Sequence, residues 1–253
     1  MKFSIITLFP EMFADPLGVS ILGRGQRAGL IEVVLTSLRD FGTGRHRQVD
    51  DASFGGGPGM VIKPDVMDAA LKTANPDGSG YVVYLSPQGA CFDQERAVKL
   101  ASLDHLVLIC GHYEGLDERF IQSRVDEEIS LGDFVLTGGE IPAMAVVDAT
   151  ARMIPGVLGD SASYAEDSFY DGMLDHPHYT RPAEWSDQVV PDVLLSGNHA
   201  AIAAWRRRQS LLRTLIRRPD ILKNARLTRH EKRLIQALAE ELDLLNDDIN
   251  AVG

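Results

Sequence analysis

Two positions in this sequence could share one piece of chemistry. Arg152 stands at the end of a helix-like segment, and Glu166-Asp167-Ser168-Phe169 puts carboxylates on an irregular one. Brought together over a ligand, the guanidinium stabilises negative charge while a carboxylate removes a proton. Glycine-rich turns could seat that ligand. In SLGDFVLTGGE (130–140), Gly132, Gly138 and Gly139 expose peptide groups that a Cβ would shield, and Asp133 and Thr137 add local acceptors. A companion turn, Gly111-His112-Tyr113-Glu114-Gly115, follows the apolar run HLVLIC (105–110), and Ser86-Pro87-Gln88-Gly89 follows YVVYL (81–85). Strand-then-glycine-turn units of this kind place adjacent loops at one end of a sheet, where open α/β sheets bind ligands.

Other chemistries lack their residues. There is no GxxxxGK[ST], and the first strand runs into Phe9-Pro10-Glu11 instead of GxGxxG. FGGGPGM (54–60) is glycine-rich, but no helix follows it directly and no metal motif accompanies it, so hydrolysis of a nucleotide there is disfavoured; Lys63 is the cation nearest to it in sequence. No GxSxG elbow occurs, and neither Cys91 nor Cys110 has an evident histidine partner. His176-Pro177-His178 offers two imidazoles without a third ligand and reads as structural; no metal ligand is assigned.

The elements that must position these residues alternate. Residues 3–8, 32–36, 81–85 and 105–110 read as strands, with helical periodicity over 64–74 and 93–102 between them, which predicts an α/β sheet of parallel strands. A helix is expected over 141–153, with Pro142 in its first turn, where a missing N–H does no harm. Residues 154–175 lose periodicity and fill with Ser, Gly, Asp and Ala, as a linker would. From His199 onward apolar residues recur at helical spacing through Trp205, Leu211 and Leu215, and again through Leu234, Leu238 and Leu242. At 253 residues and 45% hydrophobic, the chain can hold one large or two modest domains. The formal net charge is −11, yet residues 206–233 carry eleven basic side chains against two acidic ones, a local +9 suited to phosphate. The acidic tail, residues 240–248, reads as a solvated helix end. Two cysteines outside any CxxC pattern fit reduced, buried thiols, and the N-terminus has neither a signal-peptide pattern nor a membrane span, so a cytoplasmic protein is expected.

Several longer motifs point to one family. ITLFPEMF (6–13), VDD (49–51) with FGGGPGM (54–60), YLSPQG (84–89), residues 110–119, LGDFVLTGGE (131–140), IPGVL (154–158), EDSF (166–169), HYTRP (178–182) and LLSGNH (194–199) together resemble the bacterial tRNA (guanine-N1)-methyltransferase family over nearly the whole chain. The resemblance implies a SPOUT-type α/β domain with a parallel sheet and a deep trefoil knot, over residues 1–157. A linker over 158–175 and a small C-terminal helical domain over 176–253 would follow. Knotting is rare enough that no periodicity would have suggested it.

The resemblance further implies S-adenosylmethionine as cofactor, held by Leu85, Ser86, Pro87, Gln88 and Gly89, by Gly111, Tyr113, Glu114 and Gly115, and by Leu131, Gly132, Asp133, Phe134, Val135, Leu136, Gly138 and Gly139. It implies a homodimer whose active sites draw on both subunits, and a tRNA substrate methylated at N1 of the guanosine at position 37, beside the anticodon. The family is reported to use magnesium (Mg2+); the acidic loops allow it without fixing a ligand set. In that frame Asp167 is the general base for the N1 proton and Arg152 stabilises the charge that spreads to O6. The arginines and lysines of 206–233 would grip phosphates of the anticodon stem-loop. His112 and Phe134 are mild departures from the family pattern. A non-catalytic knotted RNA-binding protein, the alternative, would lack the base or the arginine, and both are present.

Overall fold

The computed structural model describes residues 1–159, 167–223, 225 and 227–252, the side chains of 241–252 excepted. The chain divides into two compact units, Met1–Ser161 and Ala162–Gly253.

The first unit is built on five parallel strands, β1 (Lys2–Thr7), β2 (Glu32–Ser37), β5 (Tyr81–Cys91), β6 (His105–Cys110) and β7 (Glu127–Ser130), in the order β2-β1-β6-β5-β7. A minor antiparallel ladder joins β3 (Asp50–Asp51) to β4 (Val61–Ile62). The helices are α1 (Ala14–Gly18), α2 (Ser20–Arg27), α3 (Pro64–Ala74), α4 (Gln94–Ala101), α5 (Glu118–Arg124) and α6 (Glu140–Ala151).

Strand periodicity of two sorts the core into two layers. Val83, Leu85, Leu106, Leu108 and Cys110 face the α6 side with Ala143, Val146 and Val147. Val82, Tyr84, Val107 and Ile109 face the other side, against Val66, Met67, Ala70 and Leu71 of α3 and Phe120 of α5. Burial on both faces explains the near-continuous apolar run of β6. Leu108 is fully buried, so truncating it to alanine would cost about 2–5 kcal/mol.

Helix α3 coincides with its predicted span, beginning at Pro64, and α4 lies inside its own, with Asp93 as N-cap accepting from the Arg96 amide at 2.8 Å. Strand β5 runs past the predicted turn at 86–89. Its pairing with β7 slips there, Leu85 and Ala90 both standing opposite Ile129, so residues 86–89 bulge out of the ladder instead of ending the strand. Gly89 allows this, since a Cβ there would lie 2.4 Å from the Glu128 carbonyl carbon. Cys110 is buried, whereas Cys91 is exposed, contrary to the expectation of two buried thiols; both are free.

In the second unit a short hairpin, Glu184–Trp185 with Gln188–Val189, turns through Ser186 and Asp187, both at positive φ. Helix His199–Arg217 packs on helix Arg229–Val252 around Met173, Leu211 and Leu238. Asn198 caps the first of these helices, accepting from the Ala201 amide at 3.2 Å. Thr228 and Glu231 form a reciprocal capping box at the second, with bonds of 2.7 and 3.2 Å. Residues 160–166 of the stretch read as a linker lie outside the described residues. Beyond them, the Phe169 amide donates to the Met173 carbonyl at 2.6 Å, and Met173 is buried in the core of this unit.

Candidate active site

The strand ends of β5, β6 and β7 surround a cavity of about 240 Å³. Its walls are the β5 bulge, the turn after β6 and the loop after β7, which are the glycine-bearing segments singled out in the sequence. Of the residues proposed to hold a cofactor, Leu85, Ser86, Pro87, Gln88, Gly111, Tyr113, Glu114, Gly115, Leu131, Phe134, Val135, Leu136, Gly138 and Gly139 line it. Gly89, Gly132 and Asp133 do not; Gly89 lies against the backbone of β7, and Gly132 shapes the turn by accepting from the Phe134 amide at 2.8 Å.

The loop after β7 is pinned across the end of β6. The Gly139 amide donates to the Gly111 carbonyl at 2.9 Å, and His112 pairs with Gly138 in an isolated bridge. A Cβ on Gly139 would sit 2.6 Å from the Cys110 Cα and 2.8 Å from the Gly111 nitrogen, so only glycine lets these backbones touch. Gly139 is also the N-cap of α6, which puts the start of that helix beside the cavity.

Polar contacts fix the rim. The Ser86 hydroxyl accepts from the Gln88 amide at 3.1 Å, and the Ser130 hydroxyl donates to the Gly132 carbonyl at 3.0 Å. Behind the cavity, the buried Glu140 carboxylate accepts from the Thr7 hydroxyl at 2.7 Å, and Thr7 in turn accepts from the Phe9 amide at 2.9 Å, tying the end of β1 to the first turn of α6. Burial, reinforced by the Glu140 charge, pushes the Cys110 thiol well above its usual range, so it stays protonated and inert.

Tyr84, His112, Ile129, Ser130, Thr137 and Pro142 also line the cavity. Tyr84 matters most of these. A Cβ on Gly111 would lie 2.8 Å from its hydroxyl, so Gly111 exists to make room for that ring. Burial, aided by the Glu128 carboxylate, pushes the phenol up to about 12 against the opposing hydrogen bond at the Leu116 backbone, which keeps it neutral. The signal was its place inside the YLSPQG motif, one residue before the assigned group. His112 leaves its Nδ1 buried beside the Gly138 backbone with no hydrogen-bond partner among the described residues.

Arg152 and Asp167 fall in different units. Arg152 is the C-cap of α6, its amide donating to the Asp148 carbonyl at 3.1 Å. Asp167 lines a cavity of about 410 Å³ in the second unit, with Asp171, His176, His199, Arg206 and Arg207. The basic run is also differentiated. Arg207 is committed internally, at 2.6 Å to Asp171 and 2.6 Å to Glu231, and Arg218 pairs with Asp220 at 2.7 Å. Arg206, Arg217, Lys223, Arg229, Lys232 and Arg233 are exposed. Lys63 donates to the Thr43 hydroxyl at 2.8 Å, an engagement away from the glycine-rich 54–60 segment.

Residues 1–224 match the family model described as tRNA (Guanine-1)-methyltransferase TrmD. Among curated proteins, the tRNA (guanine-N(1)-)-methyltransferase of Magnetococcus marinus is 62% identical over 251 residues, covering 98% of this chain and 99% of that protein. The proteins of the same name from Pelotomaculum thermopropionicum and Desulforamulus reducens are 53% and 51% identical over 249 residues, covering 97% of this chain and 99% and 98% of theirs. No helix among the described residues is long and apolar enough to cross a membrane.

Proposed function

The chain belongs to the tRNA (guanine-1)-methyltransferase family, and on that premise we propose that it methylates N1 of the guanosine at position 37 of tRNA, with S-adenosylmethionine seated in the cavity at the ends of β5, β6 and β7. The observation that supports this most is the convergence of the glycine-bearing segments on one cavity, with backbones so close at Gly139 that a side chain is excluded. Bound there, the cofactor supplies an electrophilic methyl group on a sulfonium. Leu85 and Leu136 offer it apolar wall, and Gly111, Gly115 and Gly138 offer bare peptide groups.

The remaining work falls to this chain's side chains. Guanine N1 carries a weakly acidic proton and becomes nucleophilic as that proton leaves; Asp167 removes it. Negative charge then spreads to O6, where the Arg152 guanidinium stabilises it more than it stabilises the neutral base. The exposed arginines and lysines between Arg206 and Arg233 hold phosphates of the anticodon stem-loop. The enzyme works in the cytoplasm as a homodimer whose active sites draw on both subunits; the exposed Phe134, Val135 and Ile141 near the cavity mouth give apolar surface that such a partner would cover. The passage of Gly138 and Gly139 against Cys110 and Gly111 supports a chain that threads there into a trefoil knot. Magnesium finds no shell of converging carboxylates among the described residues, and no step here is assigned to it.

Single-turnover transfer from labelled S-adenosylmethionine tests the roles. Asp167→Ala and Arg152→Ala should each slow methyl transfer by about 100-fold or more while leaving cofactor affinity within a few-fold. Near-normal transfer by Asp167→Ala would remove it as the base.

A further inference from the structure

The His176-Pro177-His178 pair, read from the sequence as structural for want of a third ligand, has one in the fold. Asp175 Oδ1 lies 2.7 Å from His176 Nδ1, and Asp175 Oδ2 lies 2.7 Å from His178 Nε2. The three candidate ligand atoms all lie within 4.8 Å of one another. Both imidazoles thus converge on one carboxylate, their rings edge-to-face with centroids 4.4 Å apart.

We propose that Asp175, His176 and His178 form a binding site for a divalent transition metal of the zinc class, separate from the methyl-transfer chemistry. Donor chemistry sets the class. Two imidazole nitrogens and one carboxylate oxygen suit Zn2+ or Co2+, whereas Mg2+ and Ca2+ take oxygen shells. Three protein ligands leave a fourth, tetrahedral position for water.

The ring protons account for the hydrogen-bonded arrangement. With Nδ1 of His176 and Nε2 of His178 both facing a carboxylate, each carries its proton there and donates to it. An ion would take the place of those protons, each facing nitrogen offering it a lone pair. The carboxylate then exchanges two N–H donors for one cation.

Two further features fit a site rather than a chance cluster. Its backbone is anchored to helix His199–Arg217, where the Ser210 hydroxyl donates to the Leu174 carbonyl at 2.5 Å and the Leu174 amide donates to the Thr214 hydroxyl at 2.9 Å, and to the preceding segment, where the Asp175 amide donates to the Ser168 hydroxyl at 2.9 Å. Pro177 fixes φ between the two imidazoles. Access is open as well, since His176 lines the cavity that holds Asp167 and, with His178, a second cavity of about 350 Å³. An ion here would brace Ser168, the residue after Asp167.

Co2+ added to the chelator-treated full-length protein tests this without tRNA or S-adenosylmethionine, so its outcome is independent of the methyl-transfer reading. One equivalent per chain should give the intense visible bands of a four-coordinate site, persisting in millimolar Mg2+ and bleached by Zn2+. His178→Ala, at a side chain 70% exposed and therefore safe for folding, should weaken binding by more than the roughly 10-fold that losing even an outer-shell partner costs. Asp175→Asn should weaken it too, and His230→Ala, an exposed histidine elsewhere in the same unit, should not. Absence of the bands in the wild-type protein, displacement of Co2+ by Mg2+, or unchanged affinity in His178→Ala would overturn the assignment.

Discussion

Replacing Gly139 by alanine probes the close backbone passage on which the cavity depends. The new Cβ would lie 2.6 Å from the Cys110 Cα and 2.8 Å from the Gly111 nitrogen. Both are backbone atoms of the central strand end, so no side chain can rotate away, and the loop must move instead. Overpacking of this sort costs about 1–3 kcal/mol, and losing the 2.9 Å bond from the Gly139 amide to the Gly111 carbonyl adds about 0.5–1.5 kcal/mol. The sum, about 1.5–4.5 kcal/mol, should lower the melting temperature by roughly 5–15 °C. Because Gly111, Gly138 and Gly139 all line the cavity, the displaced loop should also weaken S-adenosylmethionine binding by about 10-fold or more, a loss of at least ~1.4 kcal/mol. Isothermal titration alongside a thermal melt reads both quantities. Gly18→Ala, where a Cβ meets nothing within 4 Å, is the control and should change neither. Wild-type cofactor affinity and melting temperature in Gly139→Ala would refute the argument that this contact builds the site.

Three other expectations follow from the same contacts. Tyr84, whose phenol is pushed up to about 12 from an ordinary 10.0, contributes stability that is complete below pH 10 and lost as pH rises toward 12, on the order of 2–3 kcal/mol; Tyr84→Phe should flatten alkaline denaturation over that window in chemical unfolding curves. Glu231 sits below its ordinary 4.5, burial opposing the shift and the bonds from Thr228 and Arg207 overcoming it, so its contribution is full above about pH 4.5 and fades as pH falls; Glu231→Ala should cost the protein about 1–3 kcal/mol in denaturant titration at pH 7, with Glu231→Gln recovering part of it through the capping box. Arg207→Ala should lower the melting temperature because Asp171 and Glu231 both lose their contact with the guanidinium, whereas Arg217→Ala or Lys223→Ala should leave it unchanged and reduce the salt slope of tRNA binding by about 1 in a filter-binding series.

What the residues disclosed depended on how local their signals were. Helix α3 and strand β6 were legible to the residue because Pro64 starts one and an unbroken apolar run defines the other. Strand β7 was invisible: its sequence EEIS looks like solvent-facing chain, and only pairing with β5, together with the Glu127 to Arg96 contact at 2.8 Å, places Glu127 in a strand. Helix α5 was hidden because the stretch around Gly115 reads as a turn, although Asp117 caps the helix that follows. The glycines marked the cavity, since close backbone approach leaves a mark in the sequence. Tyr84 and His112 stood inside marked segments without being assigned a role, because a tyrosine in a strand and a histidine in a turn acquire meaning only from what the fold sets beside them. Asp175 was overlooked as a partner of His176 and His178 for a related reason: adjacency in sequence does not show which way a carboxylate turns.

Methyl transfer to one nitrogen of one nucleotide is the central functional claim. Incubating the protein with labelled S-adenosylmethionine and a tRNA transcript carrying guanosine at position 37, beside a transcript with adenosine there, and locating the label by nuclease digestion and mass spectrometry measures it directly. The expected result is one methyl per transcript, on N1 of guanosine 37, and none on the adenosine transcript. Label on both transcripts, label at another atom, or no transfer to either would contradict it.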